Sequence, residues 1–349
     1  MSSSHKSPLL RFHQPLVWVA ASMGVFALVS AVGIVVDDRI LVGVPIWTKP
    51  FKFSVSLLAY TLSLAWMISL LPRGRRVGWW AGTVVAATST GEMVLITLQV
   101  IRGKRSHFNH ATPFDDAVFQ IMGISILMLW LGALVIAVLL LRAKILDRAM
   151  AWAVRLSSLI ALAGAALGFL MVRPTPEQLA VDESPIIGAH AVGVPDGGPA
   201  MPLTGWASNG GDLRIPHFFG MHALQLLPLL LLVLAALAPR FARLADEQVR
   251  LRLTLTAAAA YTATFVLLTS QALRGQALFA PDGATLAGAG AIVLLGGAAA
   301  ALSLRGASPS PSPSSPPSPP SPLASAPLAR STHSAATATA TTSEEEVTS

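Results

Sequence analysis

A chain of 349 residues that is 53% hydrophobic and only 12% charged is not composed like a soluble globular domain, in which about 25% of residues are charged. Its mean hydropathy of +0.64 and its apolar runs of about 20 residues mark a multi-spanning membrane protein. The absence of cysteine excludes a disulfide scaffold, a thiolate nucleophile, Cys-ligated zinc and iron–sulfur clusters. The formal charge of +7 does not point to nucleic acid, because Lys and Arg lie in short loops without interleaved aromatics; no nucleic-acid partner is expected.

The predicted fold class is all-α, a polytopic helical membrane protein. Eight spans are predicted, at about 16–36, 53–71, 78–101, 117–141, 151–171, 217–237, 253–273 and 284–304. The first follows Lys6 and Arg11 as a signal peptide would. It is longer than an ordinary signal-peptide core and no small-x-small site follows it, so it reads as a retained anchor. The last span is rich in Gly and Ala, and a seven-span alternative treats it as a hairpin. Arg73, Arg75 and Arg76 follow span two, Arg142, Lys144, Arg148 and Arg155 follow span four, and Arg240, Arg243, Arg250 and Arg252 follow span six. These loops, together with Arg305, belong on the cytoplasmic side. The expected location is the cell membrane, multi-pass, with both termini cytoplasmic.

Three regions result: a cytoplasmic N-terminus, 1–15; a transmembrane helical domain, 16–304, with a long outer loop at 172–216; and a tail, 305–349. The tail alternates Ser and Pro before Ala/Thr repeats and Glu344–Glu346. It has too few large apolar residues to offset ordering entropy, so disorder is expected. As a polyproline segment it would be a ligand for a cytoplasmic partner.

Spans three and seven end alike. Thr97–Gly103 and Thr269–Gly275 share T-x-Q-x-x-R-G, and Pro50-Phe51-Lys52-Phe53 resembles Pro216-His217-Phe218-Phe219. Both matches divide the chain into four spans plus four, so an internal duplication is expected, as in many transporters.

The end opposite the arginine-rich loops breaks the charge bias. Lys49, Lys52, Arg102, Lys104, Arg105, Arg214 and Arg274 lie there, with His107, His110, His190, His217, His222, Asp115, Asp116 and Asp212. Lys49 and Lys52 open span two, where the helix terminus is itself electropositive, so they either bind an anion or snorkel to lipid headgroups. Glu92 falls near mid-depth in span three. A carboxylate there costs a few kcal/mol unless it is neutralised or faces a polar cavity. Gln99 and Arg102 continue the same helical side outward. His107, His110 and Asp115 combine imidazole and carboxylate in a pattern that suits Zn, Fe or Mn, without matching a strong signature. His217 and His222 lie about 140° apart on span six at ~100° per residue, so one ion cannot take both from a straight helix. Gln225 projects between them.

The strings W-x-K-P-x-K-F (Trp47–Phe53), Q-x-x-R-G-x-x-S-H-F-N (Gln99–Asn109) and G-G-D-L-R-x-x-H-F-x-G-M-H-A-L-Q (Gly210–Gln225) resemble an uncharacterised family of multi-spanning bacterial membrane proteins, common in actinobacteria. The resemblance covers about residues 15–300 and implies the membrane class, but no mechanism.

Three functional readings follow. The favoured one is a membrane-embedded acid–base enzyme (a lyase, isomerase, cyclase or transferase) acting on a polar or anionic lipid-like substrate, an isoprenoid among them. Lys49, Lys52, Gln99, Arg102, Arg214 and Gln225 would bind substrate, and Glu92, Asp212, His217 and His222 would be the acid–base groups. The second is a haem- or metal-binding redox protein, with His107, His110, His217 and His222 as ligands and Arg102 and Arg214 pairing with propionates. The third is a transporter or sensor.

Overall fold

The computed structural model describes residues 12–202 and 204–305. Most of the expected N-terminal segment 1–15 and nearly all of the tail 305–349 lie outside the described residues. Eight helices are long and apolar enough to cross a membrane: α1 (Gln14–Val36), α2 (Thr48–Ser69), α3 (Arg75–Ile101), α4 (Pro113–Arg142), α5 (Arg148–Ala166), α8 (Arg214–Leu237), α9 (Glu247–Leu273) and α10 (Gly283–Arg305). Two single-turn helices, α6 (Gly168–Met171) and α7 (Pro176–Leu179), follow α5. The chain is thus an all-α, multi-pass membrane protein by length and composition of its helices. The Gly/Ala-rich eighth segment is a continuous helix, so the seven-span alternative falls.

Helix ends carry the expected chemistry. Thr112 accepts the Asp115 backbone N–H, Pro113 opens α4, Asp115 and Asp116 lie in its first turn and Arg142 in its last. His13 caps α1 through Nδ1, which accepts from the Leu16 N–H, while Nε2 donates to the Trp79 carbonyl on α3.

The two halves are built alike. In the first, α1 packs on α2 and α3, α2 on α3, and α3 on α4; in the second, α5 packs on α8 and α9, α8 on α9, and α9 on α10. Each half also places a two-stranded antiparallel hairpin between its first and second spans. β1 (Ile40–Leu41) pairs with β2 (Val44–Pro45) in one, and β3 (Ala191–Val192) pairs with β4 (Gly211–Asp212) in the other. An Arg–carboxylate pair then ties third span to fourth in both: Arg102 to Asp115, and Arg274 to Asp282. The recurrence of T-x-Q-x-x-R-G therefore has a structural counterpart. The halves meet where α4 packs on α5 and α2 on α8.

The closest helix contact is between α5 and α8. A Cβ added at Gly164 would sit 2.6 Å from the Gly220 backbone, so glycine at both positions permits the approach. His217 Nδ1 donates to the Gly164 carbonyl across this contact at 2.8 Å.

The four loops at the hairpin end of the bundle are not separate. The tip of the β1–β2 hairpin, with Val42 at φ 54° and Gly43 at φ 77°, lies against Gly197 of the long loop. Two successive positive-φ residues are the signature of the tight turn that matches strand twist. Val44 of the same hairpin lies against Gly205. These contacts roof the ends of α2, α3 and α8.

A basic cavity beneath the loop cluster

Under this roof is a cavity of about 140 Å³, roughly ten times the space a single water requires. Its wall includes Lys49, Lys52, Lys104, Arg105, His107 and Arg214, together with His190 and Asp196.

The cations have distinct anchors. Lys49 and Lys52 are a helical turn apart in the opening of α2, so both reach the same side. Lys49 Nζ donates to His107 Nδ1 at 3.0 Å, and Lys52 Nζ donates to the Thr204 carbonyl at 2.5 Å. Arg214 is held by Asp212 through Nε and Nη2, at 2.9 and 2.5 Å, and donates to the Gly205 carbonyl. Among the described residues, none of Lys49, Lys52, Lys104 or Arg105 makes an ion pair. The carboxylate in the wall, Asp196, is already engaged: it accepts from His190 Nδ1 at 2.9 Å and from the backbone N–H groups of His190 and Ala191. Cations thus outnumber carboxylates in the cavity wall, at an end of α2 that is itself electropositive, and such a setting favours an anion.

The two cavity histidines are neutral near pH 7. Burial pushes His107 well below the ordinary imidazole range, helped by the nearby charges of Lys49 and His190. Burial also lowers His190, against the opposing pull of Asp196. Asp196 itself is held down by its hydrogen bonds with His190 and the backbone, which outweigh its burial. In this state His107 accepts from Lys49, and His190, fixed by Asp196 at Nδ1, carries its free electron pair on Nε2. The linkage sign is that of histidines whose folded pKa is depressed. Their stabilisation is complete above the unfolded value of about 6.5 and is lost as pH falls below it. A pH titration of thermal stability should show this acid-side loss, and His107→Gln together with His190→Gln should flatten it.

Phe108 holds these rings in place. Its backbone adopts φ 64°, a conformation that costs roughly 1–3 kcal/mol outside glycine. Its buried ring packs 4.8 Å from His190 and 5.9 Å from Phe119. The strained residue thereby turns His107 toward the cavity and closes the floor beneath it.

The structure corrects several expectations. Gln99 and Arg102 do not line the cavity. They form a closed network with Asp115, in which Gln99 Nε2 donates to Asp115 Oδ1 at 2.9 Å and Arg102 Nη1 at 2.5 Å. Thr112 Oγ1 donates to the other oxygen at 2.8 Å, and the Arg102 guanidinium lies 4.5 Å from the Phe114 ring. The network staples α3 to α4. Arg102→Ala strips the cation from a carboxylate that is 1% exposed and should cost about 3–5 kcal/mol, read by thermal unfolding, without altering anion affinity.

The expected metal set of His107, His110 and Asp115 does not converge. His107 meets Lys49, His110 Nδ1 meets Asp116 at 2.5 Å, and Asp115 belongs to the staple. Among the described residues no three His, Asp or Glu side chains are placed to hold a metal ion. His217 and His222 stand apart: His217 Nδ1 donates to the Gly164 carbonyl, while His222 lines a separate groove between α8 and α9. Asp212 is fully buried and already engaged, accepting from Arg214 and from the Ala207 N–H, and His217 donates through Nδ1 to the Gly164 carbonyl.

Glu92 is 1% exposed, and neither carboxyl oxygen has a hydrogen-bond partner among the described residues. It lies one helical turn inward of Ile96, which lines the cavity, and Lys49 is its electrostatic neighbour. The neighbouring Ser89 hydroxyl is also buried without a partner. Two unsatisfied polar groups of this kind are uncommon in a folded interior.

The features missed in the sequence are Arg105 as a cavity cation, the His190–Asp196 pair, and the hairpin roof. The first two were legible as residue types in the loops of the hairpin end, but their meeting depends on loop packing that no periodicity encodes. No family model, curated protein or solved structure matches the chain.

Proposed function

We propose that the protein is a membrane-embedded enzyme that binds the anionic head of a lipid-like substrate at the extracytoplasmic face and acts on it by acid–base chemistry. The observation that carries this reading is the cavity in which Lys49, Lys52 and Arg105 gather without a carboxylate partner beside the paired Arg214. The arginine-rich loops between α2 and α3, α4 and α5, and α8 and α9 lie at the opposite end of the bundle, which favours the cavity end as extracytoplasmic in the cell membrane and the termini as cytoplasmic.

Within the site, Lys49, Lys52, Arg105 and Arg214 would bind the head. His190, oriented by Asp196 through Nδ1, is the general base, because it lines the cavity and keeps the free pair on Nε2. Glu92 is the internal acid, a carboxyl group without a competing partner that sits toward the membrane interior from the cations. Asp212 positions Arg214, and His217 fixes α8 against α5.

The experiment is conversion of a membrane lipid extract by protein in nanodiscs, followed by mass spectrometry. Wild type should consume one anionic lipid class. Glu92→Gln and His190→Gln should each lower turnover by about 10²-fold or more while leaving the melting temperature and phosphate affinity in place. Wild-type turnover in both variants would overturn the assignment.

The like construction of the two halves favours a second reading, an alternating-access transporter for the same anion. Proton-coupled uptake of phosphate into proteoliposomes separates the two.

A further inference from the structure

A second cavity, of about 500 Å³, lies between α8 and α9, within the ~300–1,000 Å³ range of small-molecule sites. Its lining holds no lysine or arginine. Phe218, Phe219, Tyr261 and Leu268 supply apolar wall, and Trp206, His222 and Gln225 also line it. Leu226, also in its lining, is 47% exposed on the face of α8, so the groove reaches the side of the bundle.

The two cavities occupy corresponding places in the two halves. Setting Pro50 against Pro216 and Thr97 against Thr269 pairs Lys49 with Ile215, Lys52 with Phe218, Phe53 with Phe219, and Ile96 with Leu268. All four residues of the first half line the basic cavity, and all four of the second line the apolar groove. The same position between second and third spans thus carries two lysines in one half and Ile and Phe in the other.

The cavities also share a partition. Phe218 lines both. Gly205 and Ala207 face the basic side while Trp206, between them, faces the groove, and the Trp206 and Phe218 ring centroids are 6.1 Å apart. At this partition the Trp206 indole N–H and the Thr204 hydroxyl are buried without a partner among the described residues. A buried donor left unpaired costs about 1–3 kcal/mol, so its placement at the junction points to an acceptor on a ligand.

We infer that the groove between α8 and α9 holds the hydrocarbon chain of the ligand whose anionic head occupies the basic cavity, with the Trp206 N–H at the join. The ligand is then an amphiphile with an anionic head, for which a phosphate monoester serves as the probe, and it enters sideways from the outer leaflet past Leu226. This inference rests on the head-group reading above. Burial of each additional methylene contributes about 0.8 kcal/mol, so affinity should rise with chain length until the groove is full.

The test compares inorganic phosphate, butyl phosphate and hexadecyl phosphate binding to the full chain in nanodiscs. Leu268→Trp and Leu226→Trp serve as groove-filling variants at two separate points. Wild type should bind hexadecyl phosphate at least about tenfold more tightly than butyl phosphate. Both variants should lose that advantage while binding inorganic phosphate as wild type does, which also shows that they are folded. If phosphate binds but the hexadecyl advantage survives in both variants, the chain is partitioning into the bilayer and the groove assignment is overturned. If no phosphate binds to wild type, the head-group reading fails and the chain site with it.

Discussion

Asp212→Ala is expected to be the most damaging single substitution at the cavity, lowering stability by about 3–5 kcal/mol. Asp212 is fully buried and is the ion-pair partner of Arg214, which it grips with both oxygens. Removing it leaves a guanidinium among Lys49, Lys52 and Arg105 with no counter-charge, and it frees the Ala207 N–H. Because Ala207 and Gly205 form part of the roof, the long loop should loosen as well. Thermal unfolding in mild detergent reads the first effect, and faster amide exchange over residues 204–213 reads the second. Asp212→Asn retains one acceptor and should fall between the two. Wild-type stability in Asp212→Ala would mean that Arg214 is not held as described.

Lys49→Met should leave stability close to that of the wild type. Among the described residues Lys49 has no ion-pair partner; the buried Glu92 attracts it, and the cations Lys52, Arg214 and Arg105 repel it. Its loss removes both the attraction and the repulsion, so the melting temperature should change little. Anion binding should weaken. A charge-assisted hydrogen bond is worth about 1.5–3 kcal/mol, and every 1.4 kcal/mol is about tenfold in affinity, so phosphate affinity should fall by about 10- to 100-fold. Lys49→Arg should recover part of it. A site built for binding is recognised by this pairing of lost affinity with retained stability, whereas a purely structural lysine would lose both.

The membrane spans were legible because hydropathy over a helix-length window is a local property. Each predicted segment overlaps its helix closely, except that 151–171 runs past α5 through the short α6, and α2 and α8 begin a few residues earlier than apolar runs alone suggest. Lys49 and Lys52 were legible as an anomaly, two cations at the electropositive end of a helix. Glu92 was legible by its depth. Arg102 misled, because a cation beside Gln99 reads equally as ligand-binding or as a staple until Asp115 is seen folded back onto both. Asp212 misled similarly, since a loop carboxylate looks available until its two-residue reach to Arg214 closes. His190 and Asp196 lie six residues apart in a loop with no periodicity, and only the pairing of β3 with β4 brings that loop over the cavity. The twin sites were half visible: the two Pro-initiated motifs marked the correspondence, but the exchange of Lys52 for Phe218 gains meaning only when both residues are seen lining cavities.

Everything proposed for this site depends on anion binding by the cluster around Lys49 and Arg214. Calorimetric titration of inorganic phosphate into the purified protein in nanodiscs, at low and at high ionic strength, tests it most directly. Saturable one-site binding is expected, weakening with salt and reduced at least tenfold in Lys49→Met. Absence of saturable binding to the wild type, or equal affinity in the variant, would contradict it.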